Sequence, residues 1–104
     1  MAPESLSECS AAVIKLVADY WVLRIIEELA AQTDGMRFSA IERALPGVSP
    51  VTLSDRLRKL EAREVISRCE GGTGKASVSY ALSERGRMAL PVIRAVNEFS
   101  TAMA

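Results

Sequence analysis

The most constraining feature of the sequence is the stretch from Leu45 to Lys75, which carries signals for a turn, a helix, a strand and a glycine-rich loop. Pro46-Gly47 indicates a turn, and Ser49 is a favourable N-cap. Pro50 suits the first helical position, because its missing N–H would have no helical partner there. Three leucines then recur at helical spacing: Leu53, Leu57 and Leu60. The stretch therefore predicts an amphipathic helix over residues 50–63.

The side of this helix away from the leucines carries polar and basic groups, which is typical of a helix that reads the major groove of DNA. Small hydroxyl side chains there are expected to contact phosphate or base edges, and Arg56 or Arg58 to bind guanine. An arginine before the first helix of the pair and a lysine in the loop would bind phosphates. The predicted DNA-contacting set is Arg37, Ser49, Pro50, Thr52, Asp55, Arg56, Arg58, Lys59 and Lys75.

The competing interpretation is that these charges form an ordinary solvated helix face. For the group we favour DNA contact, whereas for any single residue the two interpretations are about even. If DNA contact is correct, Arg56→Ala and Lys75→Ala should weaken DNA binding without lowering the melting temperature.

Elements on both sides of this helix complete the expected architecture. Ser39 and Glu42 have the form of a capping box, which predicts that a short helix begins after Ser39. Pro91 is expected to kink the last helix, because its ring opposes the carbonyl of Arg87. The predicted elements are helices over 8–18, 21–32, 40–45, 50–63 and 84–101, a very short strand over 36–38, and hairpin strands over 65–70 and 77–82.

A helix-turn-helix over 39–63 that is followed directly by a hairpin over 65–82 is the winged-helix pattern. We therefore predict one domain over residues 1–104, mainly α with a small β-hairpin. The helices over 8–18 and 84–101 are more apolar than so small a domain needs. The helix over 8–18 is expected to bury its surface against another element or another subunit, and the helix over 84–101 to offer a partner surface with the N-terminal helix as its companion.

Composition narrows the functional class. Net charge is zero overall, but it is −4 over residues 1–35, +3 over 36–75 and +1 over 76–104. The positive excess therefore lies on the segment that carries the predicted DNA-contacting residues. Two cysteines far apart fit a reducing cytoplasm. No long apolar run predicts a membrane span, and the acidic N-terminus does not resemble a secretory signal.

Catalysis is not expected. The chain has no histidine, hence neither an imidazole base nor a usual zinc set, and we predict no cofactor and no metal. The loop over 71–75 superficially resembles a phosphate-binding loop. However, it joins two predicted strands, and Ala76 follows the lysine where Ser or Thr would be required.

Five blocks of the sequence, in this order and spacing, resemble the HxlR family, bacterial winged-helix transcription regulators related to the MarR group. The similarity spans about residues 9–99. The blocks are Trp21–Leu29, Arg37–Ile41, Leu45–Ser49, Leu53–Leu60 and Val78–Gly86. The resemblance implies a homodimer, joined through its terminal helices, that binds a pseudo-palindromic operator on double-stranded DNA.

The chain also departs from the family pattern. The family usually has Gly-Lys before the tryptophan, whereas this chain has Asp19-Tyr20. The loop has Lys75-Ala76-Ser77 where the family has Pro-Pro-Arg. A wing without that arginine and those prolines should be more mobile and less basic.

Cys9 lies near the position of a redox-sensing cysteine in some relatives. Glu8 beside it should raise the thiol pKa, which disfavours the reactive thiolate. We therefore favour an inert residue at a helix start over a redox sensor by about two to one. Trp21 and Tyr80 are interpreted as core residues rather than as ligand platforms.

The expected function is sequence-specific, homodimeric transcription regulation in the cytoplasm, with repression as the preferred sign. A small apolar or electrophilic effector is an open part of this prediction. The alternatives are a winged-helix module that binds a protein partner, and a sensor for a small apolar ligand with weak DNA binding. Zero net charge and the atypical wing favour the protein-interaction module, and the basic segment over 36–75 opposes it.

Overall fold

The computed structural model describes residues 6–71 and 78–104, and in these ranges the chain is mainly helical with one antiparallel hairpin. This is the predicted fold class. The helices are α1 (Glu8–Val17), α2 (Tyr20–Ala30), α3 (Phe38–Ala44), α4 (Pro50–Ala62), α5 (Glu84–Arg87) and α6 (Leu90–Met103), and the strands are β1 (Ile66–Glu70) and β2 (Val78–Leu82). None of the described helices combines the length and apolar character needed to cross a bilayer.

The core is formed where α2 packs between α3, α4 and the hairpin. Asp19 caps α2, since its Oδ1 accepts a hydrogen bond from the Val22 N–H at 3.1 Å. Partly buried Trp21 and Tyr80 pack against this core, as predicted. The buried apolar residues are Val22, Ile25, Ile26, Leu29, Ile41, Leu45, Val48, Leu53, Leu57, Leu60, Ile66 and Ile93. Burial of each large side chain removes apolar surface from water, which is the main stabilising contribution to the fold.

The hairpin is joined to the segment before α3 by a single-residue bridge. Met36 and Tyr80 exchange two backbone hydrogen bonds of 2.8 Å each, so the strand predicted over 36–38 exists as one residue. Gly35 precedes this bridge at φ +82, and a Cβ there would lie 2.9 Å from the Tyr80 carbonyl oxygen. Only glycine therefore fits where the chain approaches β2.

The end of α4 turns the chain into β1 through a Schellman motif. Glu64 adopts φ +60, its N–H bonds the Glu61 carbonyl at 2.9 Å, and the Val65 N–H bonds the Leu60 carbonyl at 3.0 Å. A glutamate thus occupies a left-handed position that glycine usually fills.

Ser83 and Gly86 connect the hairpin to the C-terminal helices. The Ser83 hydroxyl donates to the carbonyls of Glu64 and Val65, at 2.6 and 2.8 Å, and accepts from the Gly86 N–H at 3.0 Å. It therefore caps α5. Gly86 is buried, and a Cβ there would overlap the Val65 carbonyl oxygen and the Leu82 side chain.

Two predicted helix boundaries are wrong. The helix α3 begins at Phe38, with Arg37 at the N-cap and no side-chain cap, so Ser39 is inside the helix rather than capping it. The backbone bridge at Met36, one residue before Arg37, fixes where the chain enters the helix. The segment 84–101 is two helices, separated at Met88 and Ala89, rather than one kinked helix. The break lies just before Pro91, which has no N–H to bond the Arg87 carbonyl.

Candidate nucleic-acid interface

The helix α4 has the capped start that its sequence predicts. The Ser49 hydroxyl accepts a hydrogen bond from the Thr52 N–H at 3.0 Å and donates to Thr52 Oγ1 at 2.9 Å. Pro50 occupies the first turn. The side of the helix that faces the core carries Leu53, Leu57 and Leu60, which are at most 2% exposed. The leucines therefore fix the helix against the core, and the start of its other face is left accessible.

The accessible face contains most of the predicted contact residues. Arg58 and Lys59 have side chains that are 71% and 59% exposed. Ser49 and Pro50 are exposed, and Thr52 is half-buried. Val51, an apolar residue on the same face, is 79% exposed.

Asp55 is the electrostatic centre of the face. Its Oδ2 accepts from Arg56 at 2.7 Å and from Lys59 at 3.1 Å, and its Oδ1 lies 3.8 Å from Arg58. Hydrogen bonds from Lys59 and then from Arg56 hold the pKa of the Asp55 carboxyl below its usual range. The carboxylate stays ionised at neutral pH and offsets part of the positive charge that a phosphate would meet.

Arg56 has a different environment from Arg58. Its Nε donates to Asp19 Oδ2 at 2.9 Å, and only 26% of its side chain is exposed. The hydrogen bond to Asp55, together with the one to Asp19, raises the pKa of the Arg56 guanidinium. Arg56 therefore links α4 to the start of α2. Loss of this side chain should lower the melting temperature, in contrast to the expectation from sequence.

The other predicted site residues lie outside this face. Arg37 is exposed at the N-cap of α3. Lys75 lies outside the described residues. Cys9 belongs to α1, but its side chain is likewise outside the described part. The structure thus brings together the predicted residues between 49 and 59 and leaves the two phosphate contacts and the sensor cysteine as predictions.

Sequence reasoning missed three residues at or near this surface. Asp19 was noted only as a departure from a family pattern, and its partner is 37 positions away. Val51 was assigned no role, although it is 79% exposed. On β1, Arg68 pairs with Glu70 at 2.7 Å, so the described part of the wing carries a neutralised cation. The strand alternation could have placed Arg68 on an exposed face, but not its pairing.

Comparison with known proteins places this architecture in a family. A family model described as HxlR-like helix-turn-helix matches residues 16–104. The HTH-type transcriptional regulator YdzF of Bacillus subtilis is 34% identical over 80 residues, which cover 77% of this chain and 72% of YdzF. YvaP of the same species, also an HTH-type transcriptional regulator, is 30% identical over 88 residues, or 85% of this chain and 80% of YvaP.

A solved structure supports the fold. The reduced form of the transcriptional regulator YodB from B. subtilis superposes with a TM-score of 0.82 at 24% identity, and 92% of each chain is covered. The quinone-bound form of YodB superposes with a TM-score of 0.76, covering 92% of this chain and 98% of YodB. The winged-helix architecture and the family match agree, and the chain belongs to the HxlR-like helix-turn-helix family of DNA-binding transcriptional regulators.

Proposed function

We propose that this regulator acts as a homodimer, with two copies of α4 in successive major grooves of a pseudo-palindromic operator. The observation that carries the proposal is the accessible side of α4. Its capped start presents exposed Ser49 and half-buried Thr52, and Arg58 and Lys59 are exposed further along the helix. The N-terminal residues of a recognition helix are the ones that reach base edges in helix-turn-helix complexes.

The charge balance supports binding as a dimer. Asp55 and Asp19 offset part of the charge of Arg56, Arg58 and Lys59, so one copy of the face presents a weak positive field. Tight binding by such a face needs two copies acting together.

Apolar side chains left exposed on the terminal helices supply a surface for this pairing. Phe99 and Met103 on α6 are 67% and 71% exposed. Val13 and Ile14 on α1, and Val92 and Val96 on α6, are also exposed. A second copy of the chain would cover these residues, which gives the predicted dimerisation through 8–18 and 84–101 a physical basis.

Repression is the proposed sign, because an operator-bound dimer blocks a promoter by occupancy alone. The target is chromosomal DNA, so the proposal includes a cytoplasmic location. Arg37 and Lys75 are proposed to bind phosphates on either side of the recognition helix and set its register.

The test is a salt series of binding to a duplex from upstream of the gene, against a scrambled duplex. We expect the upstream duplex to bind by at least about a thousandfold more tightly, with log affinity falling linearly against log salt. Arg58→Ala should reduce the salt slope by about one per bound protomer. Asp55→Asn should raise affinity for both duplexes, because a carboxylate that opposes phosphate is removed.

Arg94→Ala is the matched control. Arg94 is an exposed arginine on α6, on the side opposite the apolar residues, and its loss should leave the slope unchanged. Equal, weak binding to both duplexes, with no sequence enriched from a random pool, would reject operator binding. The winged-helix protein-interaction alternative would then be tested by a pull-down.

An apolar effector site is a second candidate, and one cavity favours it. A space of about 390 Å³ lies between α1, the end of α4 and the start of α6. Its lining is mostly apolar, including Leu16, Ile26 and Val92, with Arg63 and Arg85 also lining it. A ligand there would contact both the helix-turn-helix and the proposed dimer helices. A rise in melting temperature with small apolar compounds, abolished by Leu16→Trp, would support it.

Electrophile sensing is tested separately. YodB has been solved in a quinone-bound form, which motivates the test but assigns nothing to Cys9. Cys69 on β1 is an exposed free thiol and provides the control. Loss of DNA binding on quinone treatment that persists in Cys9→Ser and disappears in Cys69→Ser would reject Cys9 as the sensor.

A further inference from the structure

Val51 has no role in folding that accounts for its chemistry. It is the second residue of α4, and its side chain is 79% exposed. Two positions separate it from Leu53, about 200° around the helix, so it points away from the leucine stripe and the core. A β-branched side chain is also a poorer helix former than most alternatives. Neither packing, capping nor helix propensity explains a valine here.

The neighbours of Val51 on its own face are polar. Residues three, four and seven positions later are Ser54, Asp55 and Arg58, and these lie on the same side of the helix. Asp55 is engaged with Arg56 and Lys59. In the same turn, Ser49 and Thr52 are bonded to each other. Val51 is therefore an exposed apolar side chain on a face whose other side chains are polar.

The major groove offers one apolar feature at its base edges, the C5 methyl group of thymine. Contact with that methyl group is favourable for an exposed valine at the start of a recognition helix, because the contact removes apolar surface of both groups from water. We propose that Val51 is a specificity-determining residue that reads a thymine methyl group in each half-site of the operator. This inference rests on the proposed operator binding and adds the identity of one base contact.

The test replaces thymine by uracil, which removes the methyl group and leaves the base pair intact. A binding site is first enriched from random duplexes with the wild-type protein, and each thymine in it is then replaced singly. At one position per half-site, uracil should weaken binding by about fourfold, as expected for one buried methyl group, and by about sixteenfold when both half-sites are changed. Thymines elsewhere in the site should tolerate uracil.

Val51→Ala provides the second arm of a double-mutant cycle. The variant should bind the thymine site with the affinity that the wild type has for the uracil site, and should no longer distinguish the two. Its melting temperature should not fall, because alanine is the better helix former at an exposed position. Ser54→Ala, on the same face, is the matched control and should keep the thymine preference.

The failures are distinguishable. If no sequence is enriched, operator binding fails and this inference fails with it. If a site is enriched but uracil is tolerated at every position, operator binding stands and the inference is overturned. A thymine preference that survives in Val51→Ala overturns it as well, because another group must then contact the methyl.

Discussion

Two helices of similar length and similar apolar spacing differ in how far their apolar faces are buried. In α4 the three leucines are almost completely buried, whereas in α6 only Ile93 is buried and Phe99 is 67% exposed. The periodicity of apolar residues predicted a helix in both places, although the last one begins at Leu90 rather than at Glu84. It could not say what covers each face, because one partner lies within the chain and the other is proposed to be a second copy.

This difference divides the chain into two parts. The helix-turn-helix core, formed by α2, α3 and α4, is stabilised by contacts within one chain. The terminal helices, α1 and α6, leave apolar side chains exposed, and we propose that a second copy covers them. Mutations in the two parts should therefore differ in whether their effect depends on protein concentration.

The largest effect is expected at the junction between the two parts, in Gly86→Ala. The added Cβ would overlap the Val65 carbonyl oxygen and the Leu82 side chain, and neither can move without opening the hairpin base. We expect a loss of at least about 4 kcal/mol in the free energy of unfolding, measured by urea denaturation. Gly71→Ala, with open space around its Cβ, is the control and should change stability little. A stable Gly86→Ala would show that α5 is not fixed against the hairpin.

Truncation on the two apolar faces contrasts the parts directly. Leu57→Ala should cost about 2–5 kcal/mol at any protein concentration, because it opens a cavity inside one chain. Phe99→Ala should leave the unfolding of dilute protein unchanged and should shift the dimer equilibrium toward monomer. Denaturation and sedimentation at several concentrations separate the two. Equal concentration dependence in both variants would contradict the division.

A smaller effect is expected where α2 and α4 meet. Asp19→Ala removes both the cap of α2 and the partner of Arg56, so we expect about 1–2 kcal/mol of destabilisation. Asp19→Asn keeps a capping oxygen but removes the charge, and should cost less than about 1 kcal/mol. The melting temperatures of these two variants and of Arg56→Ala together measure how much the Asp19–Arg56 ion pair contributes to stability. An unchanged melting temperature in Arg56→Ala would restore the original expectation from sequence.

The smallest change should be stabilising. Glu64 holds a left-handed backbone conformation at the end of α4, which glycine adopts without steric cost. Glu64→Gly is expected to raise stability by about 0.5–1 kcal/mol. Glu64→Ala removes the same side chain, including its distant pairing with Arg85, but keeps the strain, so it should not gain. A gain in both variants would place the cost in the charge rather than the backbone.

Local signals account for most of what could be predicted from sequence. Ser49-Pro50 and the leucine spacing predicted the start and the buried face of α4, and the hairpin pattern predicted β2 to within one residue. The start of α3 was wrong because a tertiary contact, the Met36–Tyr80 bridge, outweighs the local capping signal at Ser39. The break before Pro91 was underestimated as a kink.

The site was harder to predict than the fold, because charge pairing depends on distance in space. Arg56 and Arg58 are two residues apart and look equivalent in sequence, yet one is held by Asp19 and the other is exposed. Nothing local in the sequence marks Asp19 as the partner of α4. The outward position of Val51 does follow from the leucine spacing, because it lies about 200° around the helix from Leu53, but that spacing assigns it no role.

The Asp19–Arg56 pair has a consequence for protein engineering. A recognition helix is often treated as a cassette that can be moved between relatives to exchange operator preference. Here residues 50–62 carry an arginine whose carboxylate partner belongs to the preceding helix. In a relative that has Gly-Lys where this chain has Asp19-Tyr20, a transplanted α4 would lack the carboxylate that holds Arg56. The helix would then be free to tilt on the duplex. Chimeras of this regulator should therefore exchange positions 19 and 56 together, so that base preference and helix angle are inherited as one unit.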